Sequence, residues 1–440
     1  MKSIFKKTIA HILRIESRLV LSKYKPQIIA ITGSVGKTST KDAVFAVLSK
    51  VSHVRKSEKS YNSEIGLPLT ILGIPNGWNN PFVWLKNIFK GLYLFLIPHK
   101  YPKWLILEVG VGREGDMHKT ASWLKCDIVI ITAIGETPAH IEFFNSRKNL
   151  IEEKSKLIKT LKQDGAFILN ADDEDVLKMR ANSKHRTVTY GFKEGADVRG
   201  SADSIFYNDS GEPEGVVFRA DVEGNSLPVV INGVFGRNHV YASLASIALS
   251  FALKLNIIDT IDVLKNYDVP PGRMKLLKGI NDSMIIDDTY NSSPFACESA
   301  LDTLGGIKRN KSKKSSRKVA ILGDMLELGK HTEEAHKNIG KIAGENLKGN
   351  HDVLITVGPR AQAIKSGALE AGMSGENVFE FLNSYQAGEF VKTFVQKRDL
   401  ILIKGSQGMR MERIAEAILL DQENKNKLLV RQDSEWKKKK

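Results

Sequence analysis

Apolar runs rich in β-branched residues recur along the chain, each closed by glycine or a polar turn. They are IIAIT after Gln27, Trp104–Gly110 (WLILEVG), Cys126–Gly135 (CDIVIITAIG) and FILN ending at Asn170. The second half repeats the pattern in MIIDD, KVAILG, DVLITVG and DLILIKG. Continuous apolar runs of this length predict strands buried on both faces of a parallel sheet. Helix-spaced segments lie between them: Ala43, Val44, Ala46, Val47 and Leu48 after the first run, then Ser146–Leu161 and Val240–Leu253. Strand and helix in alternation predict an α/β fold with a doubly wound, mainly parallel sheet. Ligands then gather at the carboxyl ends of the strands, where Glu108, the Gly135–His140 loop and Asn170 fall.

From Thr187 to Asn232 the pattern changes to short alternating strands with Gly, Asp and Pro turns, which predicts a small antiparallel insert. Asp268-Val-Pro-Pro-Gly-Arg273 is the candidate linker, dividing the chain into residues 27–268 and a second α/β unit, 269–440. Residues 1–26 read as a basic amphipathic helix with Ile4, Phe5, Ile9, Ile12, Leu13 and Leu19 on its apolar side. It either packs on the first domain or touches a membrane surface. Tyr61–Pro75 predicts a polar turn and a helix interrupted by Gly66 and Pro68. Pro81–Pro98 is aromatic-rich, with only Lys86 and Lys90 charged. A buried or partner-facing helix is expected there in preference to a membrane interface.

The composition, 42% hydrophobic and 26% charged over 440 residues, is that of a soluble globular protein with room for two or three cores. Cys126 and Cys297 are the only cysteines and form no CxxC, which argues against a disulfide framework or a zinc ribbon and for a reducing cytoplasm. No run of about 18 uncharged apolar residues predicts a membrane span, and no small-residue cleavage site follows the N-terminus. The net charge of +15 is concentrated in Lys2–Lys25, Lys308–Lys318 and Lys437–Lys440. Without interleaved aromatics these runs do not predict nucleic-acid binding; an anionic substrate or membrane surface accounts for them as well.

Candidate chemistry begins at Gly33-Ser34-Val35-Gly36-Lys37-Thr38-Ser39, a glycine loop between the first strand and the first long helix. This is the arrangement of a P-loop: glycines aim backbone N–H groups at phosphate, the helix N-terminus adds its positive end, Lys37 reaches the β and γ phosphates and Thr38 holds Mg²⁺. Ile31 stands where the full motif has its first glycine. Alone, the loop predicts only a bound nucleotide.

Seven stretches running in order from residue 30 to residue 413 resemble the Mur ligase family: AITGSVGKTSTKD, YNSEIGLPLTIL, LEVGVGREGDM, GRNHVYASLA, IIDDTYNSSP, ILGDMLELG and IKGSQGMRMER. The match is to the branch that adds D-alanyl-D-alanine to a muramoyl peptide. The resemblance implies a central ATPase domain, a C-terminal Rossmann-like domain and ATP-dependent amide bond formation through an acyl phosphate. It implies two Mg²⁺ ions, one on Thr38 and Glu108 and one on Glu108 and His140, and a carbamylated Lys154 as a further ligand. Arg273, Asp288, Tyr290 and His239 are implied on the nucleotide, and Asn62, Lys404 and Ser406 on the substrate side. The implied protein is a cytoplasmic monomer acting on small molecules, with peripheral membrane contact left open.

The sequence also departs from the family. Gly236-Arg-Asn238-His239-Val-Tyr-Ala242 swaps two polar residues of the family's segment and replaces its last Asn, Ser63 replaces an Asn, and Thr137-Pro138 precede Ala139-His140 as an insertion. About thirty residues precede the P-loop, where the family usually carries a whole domain for the UDP end of its substrate. A different grip on UDP, a partner chain or another acceptor are the alternatives this leaves, together with a related amide ligase or a non-catalytic scaffold at a membrane.

Overall fold

The computed structural model describes residues 2–57, 62–135, 143–308 and 317–437. Two sheets organise them. The first has nine strands: β1 (Gln27–Thr32), β2 (Val54–Lys56), β3 (Trp104–Glu108), β4 (Cys126–Ile131), β5 (Leu161–Asn170), β6 (Arg186–Gly191), β7 (Val198–Tyr207), β8 (Pro213–Val222) and β9 (Asn225–Asn232). Their order is β2-β3-β1-β4-β5-β6-β7-β8-β9. Pairing is parallel from β2 to β7, and β7-β8-β9 form an antiparallel meander. The expected antiparallel insert is this meander, continuous with the main sheet. Its strands are long and extend the edge of the main sheet, because β6 joins β5 in parallel register before the chain turns back.

Alternation along β1 shows how the sheet is covered. Ile29 and Ile31 face a core shared with α2 (Lys37–Val51), whereas Ile28 and Ala30 face a second core with α1 (Lys2–Tyr24) and α3 (Gly66–Leu72). Side chains in a strand point to opposite faces in turn, so one apolar run serves both. Against α1 lies α4 (Pro81–Leu96); α5 (Asp116–Ala121), α6 (Arg147–Ser155) and α7 (Glu174–Lys178) follow on the connections, and α8 (Arg237–Leu253) packs on α2 beside α9 (Ile257–Lys265).

Five expected details are corrected. Gly66 and Pro68 do not interrupt α3 but lie in its first turn, where proline's missing N–H costs nothing. The helix expected over 146–161 is α-helical only to Ser155 and tightens into a 3₁₀ turn, Lys156–Thr160, before β5. Helix α8 begins three residues early, at Arg237. In α1 the buried stripe is Ile9, Leu13, Ser17 and Val20; Phe5 and Leu19 are exposed. Helix α4, expected to be buried or partner-facing, is not buried: of its residues only Trp84, Asn87 and Gly91 are.

The second sheet has order β10-β11-β15-β12-β13-β14, from β10 (Lys275–Lys278), β11 (Met284–Asp288), β12 (Lys318–Gly323), β13 (Val353–Val357), β14 (Val378–Phe381) and β15 (Leu400–Lys404). Only β10 is antiparallel. One face carries α10 (Pro294–Gly306), α11 (Thr332–Asn346) and α12 (Gln362–Glu370); the other carries α13 (Ser384–Phe394) and α14 (Glu412–Ile418). The chain between the sheets is stitched by backbone bonds, Phe235 N–H to the Met274 carbonyl (3.0 Å) and Leu276 N–H to that of Gly233 (2.9 Å). This seam brings Arg273 to the mouth of the first sheet.

Candidate active site

The turn after β1 is shaped by its neighbour strand. Gly33 has φ 145° and Gly36 φ 84°, and a Cβ on Gly33 would stand 2.0 Å from Thr132 Oγ1. Only glycine fits that approach. Thr132, just past β4, donates to the Val35 carbonyl (2.6 Å) and lies 3.1 Å from that of Thr32. The Ser34 and Val35 N–H groups both donate to the Ala133 carbonyl, at 2.7 and 3.0 Å. The anion-binding groups at this loop are then the first-turn N–H groups of α2, which have no intrahelical acceptor, and the helix's positive end. The Ser34 hydroxyl oxygen is buried with no partner among the described residues, as a hydroxyl held for an incoming ligand would be.

Lys37 and Lys154 converge on one atom. Each donates from Nζ to the Gly33 carbonyl at 2.9 Å, and Lys37 also reaches the Ser34 carbonyl at 3.3 Å. Lys154 is 4% exposed. Burial, reinforced by the neighbouring Lys37 charge, holds its amine well below the usual lysine range. Burial lowers Lys37 as well, opposed by Glu108 and assisted by Arg273.

At the end of β3 the Thr38 hydroxyl donates to Glu108 Oε2 at 2.9 Å. Asn62 Nδ2 lies 3.4 Å from Glu108 Oε1, and Lys41 Nζ 3.9 Å from Oε2. Arg273 crosses from the far side of the seam, its Nη2 donating to Thr38 Oγ1 at 2.8 Å while its guanidinium lies 4.1 Å from the Tyr290 ring centroid. Thr38 and Glu108 are hard oxygen donors of the kind Mg²⁺ takes, so the donor set fits that ion. No group of three or more His, Cys, Asp or Glu converges among the described residues, so phosphate oxygens and water would complete its shell. His140, expected on a second ion, lies outside the described residues, as does Tyr61 of the YNS stretch.

Other expected site residues are placed differently. His239 is not open to a nucleotide: it is buried, with Nδ1 3.0 Å from the Tyr267 hydroxyl and Nε2 2.7 Å from the Arg273 carbonyl. Burial pushes its imidazole down to about 4, so it is neutral and positions Arg273. Lys404 donates to Asp288 Oδ2 at 2.5 Å and to the Asn291 carbonyl at 3.0 Å, so it pairs with a residue expected on the nucleotide and presents no free charge to an acceptor. Ser406 is buried, accepting from Leu326 N–H at 2.8 Å. Asn62 faces Glu108. Ser39 is buried in the first turn of α2.

Three contributors were missed. Thr132 braces the loop, and Lys41 is buried beneath Glu108 with its amine on the Ser57 carbonyl (3.0 Å). Asp173 accepts from Ile134 and Gly135 N–H while capping α7. Lys41 was legible in principle, three residues after Thr38 on the same helical face; Thr132 and Asp173 depend on sheet order.

Comparison with known proteins agrees with this geometry. The Mur ligase middle domain model matches residues 31–84 and 86–250, and the Mur ligase glutamate ligase domain model matches residues 272–407. The UDP-N-acetylmuramoyl-tripeptide--D-alanyl-D-alanine ligase of Bacillus subtilis (strain 168) is 28% identical over 403 residues, covering 92% of this chain and 78% of that protein. The protein of that name from Escherichia coli (strain K12) is 24% identical, covering 89% and 76%. Among solved structures, a MurF ligase from Thermotoga maritima in complex with ADP superposes with a TM-score of 0.73 at 24% identity, over 93% of this chain and 83% of that one. With both domain models aligned in order across the two sheets, the chain belongs to the Mur ligase family.

Proposed function

We propose that the protein is an ATP-dependent, ADP-forming amide ligase of peptidoglycan synthesis that joins D-alanyl-D-alanine to a muramoyl-peptide carboxylate. The observation that carries this reading is the convergence of Lys37, Thr38, Glu108, Lys154 and Arg273 around one phosphate-binding turn. The relatives named for this reaction span most of the chain, which supports the acceptor and amine proposed.

A carboxylate resists attack by an amine because it is anionic and a poor electrophile. Its oxygen therefore first attacks the γ-phosphorus of ATP; the bond to the β-γ bridging oxygen breaks and ADP leaves. The amine then attacks the acyl carbon, phosphate departs with the bonding pair, and the nitrogen loses a proton. The first step concentrates negative charge on the transferring phosphoryl, so its cost falls with every cation held in place beforehand. Lys37 and the α2 N-terminus hold the β and γ phosphates, and Arg273 adds its charge from the second sheet. Thr38 and Glu108 would hold Mg²⁺, whose positive charge would offset the negative charge of the phosphates.

We further propose that Lys154 is carbamylated. Only a neutral amine adds to CO₂, and this buried amine is held toward the neutral form. The product carries a carboxylate-like group beside Lys37, replacing a like-charge contact with an opposite one and supplying a further oxygen donor to metal. The cytoplasm is the proposed compartment, where the buried, free thiols Cys126 and Cys297 persist.

The test is phosphate release measured against a panel of UDP-muramoyl peptides and free muramoyl peptides, each with and without D-alanyl-D-alanine. Release that requires both an acceptor and the dipeptide supports the reading. ATP turnover indifferent to every pair overturns it.

A further inference from the structure

We propose that the outward face of α1 and α4 docks on an anionic membrane surface, independently of the ligase reading. Helix α4 is firmly built. Asn80 accepts from Phe82 and Val83 N–H, Pro81 stands in the first turn, and at the far end Lys23 and Tyr24 donate to the Phe95 and Leu94 carbonyls at 2.5 and 3.0 Å. Yet its apolar side faces solvent. Phe82, Leu85, Phe89, Leu92, Tyr93 and Leu96 are between 42% and 80% exposed, and their spacing of three, four, three, one and three residues makes one continuous stripe. Neighbouring α1 adds exposed Phe5, Ile15 and Leu19. Contiguous apolar surface on a rigid helix marks an interaction site rather than scattered exposure.

Charge selects the partner. No Asp or Glu occurs from Ile65 to Leu107, and the one acid of α1, Glu16, is buried against Gly91 of α4. Lys6, Lys7, Arg18, Lys86 and Lys90 are exposed around the stripe. A second copy would bring the same positive rim against itself across a two-fold interface, which opposes pairing. Anionic headgroups over an acyl boundary complement both features at once. No described helix is long and apolar enough to cross a membrane, so the helices lie on the surface.

The experiment is co-sedimentation of the full chain with phosphatidylcholine vesicles that contain or lack phosphatidylglycerol. The protein is expected to pellet with the anionic vesicles only, and to release as salt rises from about 0.1 M to about 0.5 M. The double substitution Phe82→Asp/Phe89→Asp is expected to lower partitioning by at least about tenfold while leaving ADP binding at the P-loop unchanged, which also shows that the variant folds. Failure to bind anionic vesicles overturns the proposal. So does a dimer in sedimentation equilibrium that dissociates on Phe89→Asp, since the face is then a contact between copies.

Discussion

Lys154 and Gly33 hold the two residue-scale claims most open to test. Replacing Lys154 with Ala removes the site of the proposed carbamate and one of the two donors to the Gly33 carbonyl. The expected loss is about a hundredfold or more in kcat, with ATP affinity little changed, as for a group acting chiefly on the transition state. In wild-type protein equilibrated with ¹³C-bicarbonate, a carbamate carbon signal should appear and be absent from the variant. Full activity in the variant, without dependence on CO₂, would remove the carbamate assignment and leave the fold intact. Gly33→Ala tests the loop: the new Cβ meets Thr132 Oγ1 at 2.0 Å at a backbone angle that side chains avoid. A stability loss of about 2–4 kcal/mol in denaturant unfolding is expected, together with loss of nucleotide binding.

Among the elements, the packing of α1 on α4 contains a group that resists burial. Glu16 has Oε2 buried without a partner among the described residues, and desolvation pushes its carboxyl up to about 7 from 4.5. Ionising it is therefore easier in the unfolded chain. Its penalty is absent below about pH 4.5, grows as pH rises toward 7, and is complete above that. Glu16→Gln should then add roughly 1–2 kcal/mol of stability at pH 8 and nothing at pH 4, read from urea midpoints at the two values. Much at this scale was legible in the sequence. Strand runs such as WLILEVG and CDIVIITAIG announce themselves because burial on both faces leaves no polar alternation. The exposure of α4 was not legible, since an apolar stripe reads the same whether it faces a core or solvent. The parallel junction of β5 with β6 was hidden for a similar reason: pairing direction is set by neighbours far along the chain. In the site, the P-loop could be read from local spacing, and Glu108 and Lys154 only through family resemblance. The surroundings of His239 and Lys404 could not be read locally because their partners, Tyr267, the Arg273 carbonyl and Asp288, belong to other elements.

For the molecule as a whole, the site exists only where the two sheets meet. Arg273 closes the linker, bonds Thr38 of the P-loop and stacks on Tyr290 of the second sheet's domain. Arg273→Ala should lower kcat/KM for ATP by about 10²–10³-fold while moving thermal unfolding little. Lys in its place should restore only a small part, because an ammonium lacks the planar fork that bonds and stacks together. An equal loss of stability and activity would instead mark Arg273 as structural. The central claim is that this junction passes a phosphoryl group to a carboxylate before an amide forms. The direct measurement uses UDP-muramoyl-tripeptide labelled with ¹⁸O in its terminal carboxylate, with ATP and D-alanyl-D-alanine, and reads the isotope in the released phosphate by mass spectrometry. One ¹⁸O atom per phosphate, in step with amide product, is the predicted result; phosphate free of the label would contradict it.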